Sequence, residues 1–111
     1  MKFNQTRIYG KALELVADSR GIVDELPRGP GFLGDQLRRA SASVVLNFAE
    51  GHDKGSLAEQ RRFLRIARGS AQECLAILDV ADRLGAISPE RYAEAHEHAD
   101  HLVRMLVRFR R

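Results

Sequence analysis

His96, His98 and His101 crowd one short stretch of this chain, and such clusters are where metal chemistry is sought first. His98 and His101 are three residues apart and can share one helical face. A metal site in a helical bundle draws its ligands from several helices, commonly through paired Glu-x-x-His motifs. No second histidine motif stands elsewhere. Glu94 and Glu97 precede His98 and His101 by four residues, which suits surface ion pairs. The stretch therefore reads as a solvated face, with no metal and no cofactor. The single cysteine, Cys74, keeps helical register with Phe63, Ala67, Ala71, Leu78 and Ala81, so it reads as a buried thiol of raised pKa. Ser41, Ser43, Ser56 and Ser70 are nominal nucleophiles, and His52-Asp53 follows the second helix near Glu50. Ser56 is better explained as a helix cap, and the others fall inside helices. Gly29, Gly31 and Gly34 follow no strand, and no nucleophile elbow, P-loop or dinucleotide fingerprint is present. No catalytic residue is assigned; an enzyme with its site between subunits is a minor alternative. Asn47, polar in an apolar half-helix, suits a hydrogen bond to neighbouring backbone better than a ligand contact. Gly69, inside a helix, suggests a close helix crossing near Ser70.

The arginines carry the strongest functional signal. Formal net charge is only +3, yet 15 of the 18 basic residues are arginine and their placement is uneven. Antiparallel helices would gather residues 1–14, 44–69 and 101–111 at one end. That end holds 12 basic and 4 acidic residues, a net +8; the remainder sums to −5. Helix dipoles account for the fourth helix, where glutamates lead and arginines trail, but not for the first and third. Arg61, Arg65 and Arg68 share one stripe, as do Arg104, Arg108 and Arg111. Such stripes can engage the phosphates of RNA or DNA. They also suit the solvated face of an arginine-rich coding sequence, and both readings stand. Exposed aromatics are scarce, so binding would be led by the backbone.

The elements that position these groups are four helices. The first runs from about Gln5 to Glu25, with Tyr9, Ala12, Leu13, Val16 and Val23 at helical spacing. Pro27, Gly29, Pro30 and Gly31 break it. The second spans about Phe32 to Glu50 on a stripe of Leu33, Leu37, Ala40, Val44 and Phe48, and Gly51 can supply a left-handed cap. Ser56 and Glu59 fit a capping box opening the third, which lasts to Leu84 with Gly85 at C′. The fourth begins at Ser88-Pro89, with Ile87 and Tyr92 placed as a hydrophobic staple. Its stripe is Tyr92, Ala95, Ala99, Leu102, Leu106 and Phe109. Short connections make neighbours antiparallel, so the expected fold is an all-α, up-down-up-down four-helix bundle.

Several motifs on these helices are distinctive. They are Leu37-Arg38-Arg39-Ala40, Asn47-Phe48-Ala49-Glu50-Gly51, and Arg62-Phe63-Leu64-Arg65-Ile66-Ala67-Arg68-Gly69-Ser70 followed by Glu73. With the junction Leu84-Gly85-Ala86-Ile87-Ser88, the chain resembles the bacterial four-helix-bundle family, also called the 23S rRNA intervening-sequence protein family. Tyr9 stands where tryptophan is usual, and Phe48 replaces isoleucine, both apolar for apolar. The resemblance implies a small helical bundle assembling as a ring, typically a pentamer, with no settled biochemical activity. Distant relatives that accompany reverse transcriptases bind nucleic acid, and that role is not carried over.

Length and composition fit this picture. At 111 residues and 12.5 kDa, the chain is one domain, which should expose about 6,200 Å² when folded. Apolar residues make up 44% and charged residues 30%, a globular composition. One cysteine excludes an internal disulfide. With no run of 18 apolar residues and no signal-type segment in Met1 to Gly10, a cytoplasmic protein away from membranes is expected. The second helix adds a self-association expectation. From Ala40 to Ala49 no residue is charged, and Ala42, Val45, Leu46 and Ala49 fall opposite the core stripe. A helix apolar all round needs cover all round, which points to an oligomer. The sequence thus suggests a non-enzymatic, oligomeric nucleic-acid-binding module, with a protein scaffold or adaptor as the alternative.

Overall fold

Three of the four helices start where a side-chain hydroxyl satisfies an otherwise orphaned amide. In the computed structural model, which describes residues 1–26 and 31–109 (without the side chains of 31 and 32), a short 3-10 turn, Phe3–Gln5, precedes four helices. They are α1 (Arg7–Glu25), α2 (Gly31–His52), α3 (Leu57–Arg83) and α4 (Pro89–Arg108), and no strand occurs among the described residues. Pro27, Gly29 and Pro30 of the expected loop, and Arg110 and Arg111, lie outside the described residues.

The helix ends show how local sequence sets the frame. Thr6 caps α1, accepting from the Tyr9 amide at 3.1 Å, so α1 begins at Arg7 and not at Gln5. Ser56 accepts from the Glu59 amide at 3.1 Å, while the Glu59 carboxylate pairs with Arg62 at 3.6 Å. Ser88 caps α4 by accepting from the Arg91 amide, with Pro89 behind it. Gly85 is the left-handed residue after α3, at φ 68°. Its amide donates to the Asp82 carbonyl and that of Ala86 to the Ala81 carbonyl, the paired bonds of a Schellman end. Gly51 does not play that part for α2, because the helix continues through it to His52.

The topology follows from contacts between helices. Ser43 of α2 meets Ser70 of α3, while Gly51 meets Phe63 and Gln60, so one number rises as the other falls. The same holds for α1 and α4, where Asp18 faces His98 and Glu25 faces Arg91. On α3 and α4, Asp79 faces Tyr92 while Leu57 and Leu64 lie by Leu106 and Phe109. Neighbours are antiparallel, and the fold is the up-down-up-down bundle, 44 × 22 × 18 Å.

The core follows three stripes at their inner positions, with Phe63, Tyr92 and Phe109 only half-buried, and corrects the fourth. Leu33, Leu37, Ala40, Val44 and Phe48 of α2 are all buried, as are Ala95, Ala99, Leu102 and Leu106 of α4, and Ala67, Ala71, Cys74, Leu78 and Ala81 of α3. On α1 the buried residues are Ile8, Ala12, Leu15, Ser19 and Ile22, whereas Leu13 is exposed and Tyr9, Val16 and Val23 are half-buried. The stripe is displaced because its fourth position is a serine, whose hydroxyl donates to the Leu15 carbonyl at 2.8 Å and so tolerates burial. Total accessible surface is 6,600 Å², slightly above the value expected for this mass.

Candidate nucleic-acid interface

A helical turn of 3.6 residues puts positions 61, 65 and 68 of α3 on one side of that helix. The structure places Arg61, Arg65 and Arg68 together along a groove of about 240 Å³, between the first half of α3 and the last turn of α4. Leu57, Leu64, Leu106, Val107 and Phe109 supply its apolar surface, and Gln60 sits at its edge. Gln60 Nε2 also donates to the Lys54 carbonyl at 2.6 Å, tying the turn before α3 to the helix.

The groove is backed by a cluster that sequence reading missed. Phe109 meets Phe48 edge to face, centroids 5.4 Å apart, and His52 packs on both rings. His52 is buried in the last turn of α2, with Nδ1 3.1 Å from Asp53 Oδ1. The one available signal was Phe48–His52 at i, i+4, which aligns both rings on one face.

Charge pairing separates these arginines from their neighbours. Arg62 pairs with Glu59 at 3.6 Å and lies 4.4 Å over the Phe63 ring. Arg104 pairs with Asp100 at 3.3 Å and Glu97 at 3.7 Å, so its charge is neutralised within α4. Arg20, Arg38, Arg39 and Arg91 also have carboxylate partners. Arg61, Arg65 and Arg68 have none among the described residues. Arg7, Arg83 and Arg108 likewise lack one, but they do not line the groove. The two stripes of the sequence are thus not joined: the α3 stripe forms the groove wall, Arg104 and Arg108 stand off it, and Arg111 lies outside the described residues.

The expected self-association face is partly corrected. Leu46 is 66% exposed, and Ala42 and Ala49 are half-buried, but Val45 is only 8% exposed and belongs to the chain's own core. A bundle helix packs against two neighbours, so its buried arc extends about 100° beyond Val44 to take in Val45. One turn from the Ser43–Ser70 contact of 2.8 Å, Leu46 and Ile66 are both exposed. Asn47 Nδ2 donates to the Ser43 carbonyl at 2.9 Å and its hydroxyl at 3.0 Å, the expected structural role. Gly69 contradicts its reading as a crossing point, because nothing lies within 4 Å of where its Cβ would stand. The close approach is at Gly51 instead.

The histidines are also rearranged. His98 Nδ1 lies 2.6 Å from Asp18 of α1, not on Glu94, and His96 lies 3.7 Å from Asp79 of α3. Asp18, Glu94 and His98 bring three potential ligand atoms within 4.8 Å, so a carboxylate from a second helix does face the histidines. Arg91 borders the same depression and is paired with Glu25 at 2.9 Å. Ser41 donates to the Arg38 carbonyl, and Ser43 and Ser70 occupy one another. Cys74 is buried, and that burial, helped by the Glu73 charge, pushes its thiol up to about 12. No helix among the described residues is long and apolar enough to cross a membrane.

The family model described as 23S rRNA-intervening sequence protein matches residues 4–108. No curated protein matches the chain. Among solved structures, it is similar to a protein of unknown function from the S23 ribosomal protein family of Bacteroides thetaiotaomicron. That likeness has a TM-score of 0.83 at 22% identity, covering 90% of this chain and 94% of the other, and it supports the fold alone.

Proposed function

The chain belongs to the 23S rRNA-intervening sequence protein family, and we propose that it is a non-enzymatic module that binds RNA or DNA through the arginine-walled groove between α3 and α4. One observation carries this reading. Among the described residues, Arg61, Arg65 and Arg68 converge on one concavity without carboxylate partners, although ion pairs occupy six other arginines. Unpaired guanidiniums in a cleft keep their charge and their forked donors for an outside anion, and phosphate fits that geometry. The family name refers to an rRNA intervening sequence, which agrees in kind with such a partner. We further propose that the protein works in the cytoplasm as a homo-oligomer, five-fold as the family resemblance implies, with Leu46, Ala42 and Ala49 in the contact. The exposure of Leu46 and Ile66 beside a seam of small side chains supports that part.

The test is retention of RNA and DNA at low salt. The protein retains both, retention falls steeply as salt rises because counterions are released, and a variant with Arg61, Arg65 and Arg68 all changed to glutamate retains neither while keeping its helical circular dichroism. Absence of retention by the wild type at low salt would overturn the reading in favour of a protein adaptor.

A further inference from the structure

The groove differs from a plain phosphate-binding face in setting apolar side chains among its arginines, and this feature narrows the partner. Resting on the nucleic-acid reading above, we propose that the groove accepts one unstacked base of a single-stranded nucleic acid, with flanking phosphates held along Arg61, Arg65 and Arg68. A duplex keeps its bases stacked inside and offers a protein mainly its phosphates, for which a convex basic surface suffices. Here the three arginines form one wall of a concavity, and Leu57, Leu64 and Leu106 line the rest with Phe109. Apolar lining beside unpaired cations fits a partner that is flat and apolar at one point and anionic on both sides of it. Single strands offer that, because their bases can be splayed out and laid against aromatic rings and guanidinium planes.

Size and rigidity agree. A volume of about 240 Å³ falls below the roughly 300–1,000 Å³ of pockets for drug-sized ligands and suits one ring system. Seven residues of helix separate Arg61 from Arg68, about 10 Å of rise, so a short run of backbone can lie along the wall. Phe109 is already held edge-on by Phe48, so its position does not depend on a ligand. The bound base therefore adds stacking to an interaction otherwise read as phosphate contact alone.

Fluorescence anisotropy at low salt tests this with three probes of equal length: a labelled single-stranded oligouridine, the same strand with abasic sites, and a blunt RNA duplex. The intact single strand binds roughly tenfold more tightly than the abasic strand, the effect of one stacked base, and more tightly than the duplex. Leu57→Ser, at an exposed position of the groove, weakens the intact strand toward the abasic value and leaves the abasic strand unchanged. Equal affinity for intact strand, abasic strand and duplex would overturn base insertion while leaving phosphate binding in place. Binding of none of the three would remove the nucleic-acid reading itself, and this inference with it.

Discussion

A Cβ at Gly51 would stand 2.8 Å from the Cβ of Phe63, with the Gln60 carbonyl oxygen 3.1 Å away, so α2 ends pressed directly on the backbone side of α3. Neither contact is the free end of a flexible side chain, so relief needs the helices to part. Gly51→Ala gains about 1 kcal/mol of helix propensity but overpacks a junction at about 1–3 kcal/mol. The net expected effect is destabilisation, and Gly69→Ala, in open space, is expected to stabilise the isolated bundle by about 1 kcal/mol. Thermal melts of the two variants at one protein concentration check the pair; a stabilised Gly51→Ala would refute the close approach.

Leu46→Asp places a charge in the proposed contact between copies, at a position 66% exposed in the single chain. Because the single-chain fold does not need Leu46 buried, the helical spectrum should persist while light scattering shows dissociation. Asp79→Asn, far along α3, is the control. A wild-type protein that is monomeric at micromolar concentration would remove the oligomer from the proposal.

Cys74 is expected to resist thiol reagents at neutral pH in the folded protein and to react fully in denaturant. Its folded pKa is raised from 9.0 to about 12, so the folded state holds a proton that the unfolded state releases first. The stabilisation is therefore complete below pH 9 and declines as pH climbs toward 12. Cys74→Ala should show a shallower fall in melting temperature across that range than the wild type. Identical slopes would show that the thiol's protonation is not linked to folding.

Asp18, Glu94 and His98 are expected to hold no resident metal. His98 Nδ1 is already taken up by Asp18 at 2.6 Å, and the Arg91 guanidinium at the same depression opposes a second cation. Metal analysis of protein purified without a histidine tag should find well under one equivalent of zinc or iron. A full equivalent lost in His98→Ala would reverse this.

Where the sequence was readable, one physical signal dominated. The α2 and α4 stripes are made of unambiguous apolar residues, and all the α2 positions and the four inner α4 positions are buried. On α1 the signal was blurred, because Ser19 fills a core position by bonding to its own helix while Leu13 is left outside. Val45 is buried although a helical projection sets it opposite the core stripe, because the width of a buried arc depends on how closely both neighbours pack. The close approach falls at Gly51, which the sequence suggests only as a cap, and not at Gly69, because a helical glycine signals such an approach only through what lies opposite it. At the site, the arginine stripe of α3 was legible from i, i+4, i+7 spacing. Its apolar lining was not, since Leu57 and Leu64 meet Leu106 and Phe109 only through the pairing of α3 with α4. The Asp100–Arg104 pair is available in the i, i+4 spacing, whereas the second partner, Glu97, seven residues away, is not.

The most direct test of the central claim is the salt dependence of single-strand binding, measured for the wild type and for Arg61→Gln, Arg65→Gln, Arg68→Gln and Arg62→Gln separately. Each phosphate contact to a single strand contributes about 0.7 to the slope of log affinity against log salt. Each of the three groove variants is predicted to lower that slope by about 0.7, and Arg62→Gln, already paired with Glu59, to leave it unchanged. Equal changes in slope for all four variants would contradict the account.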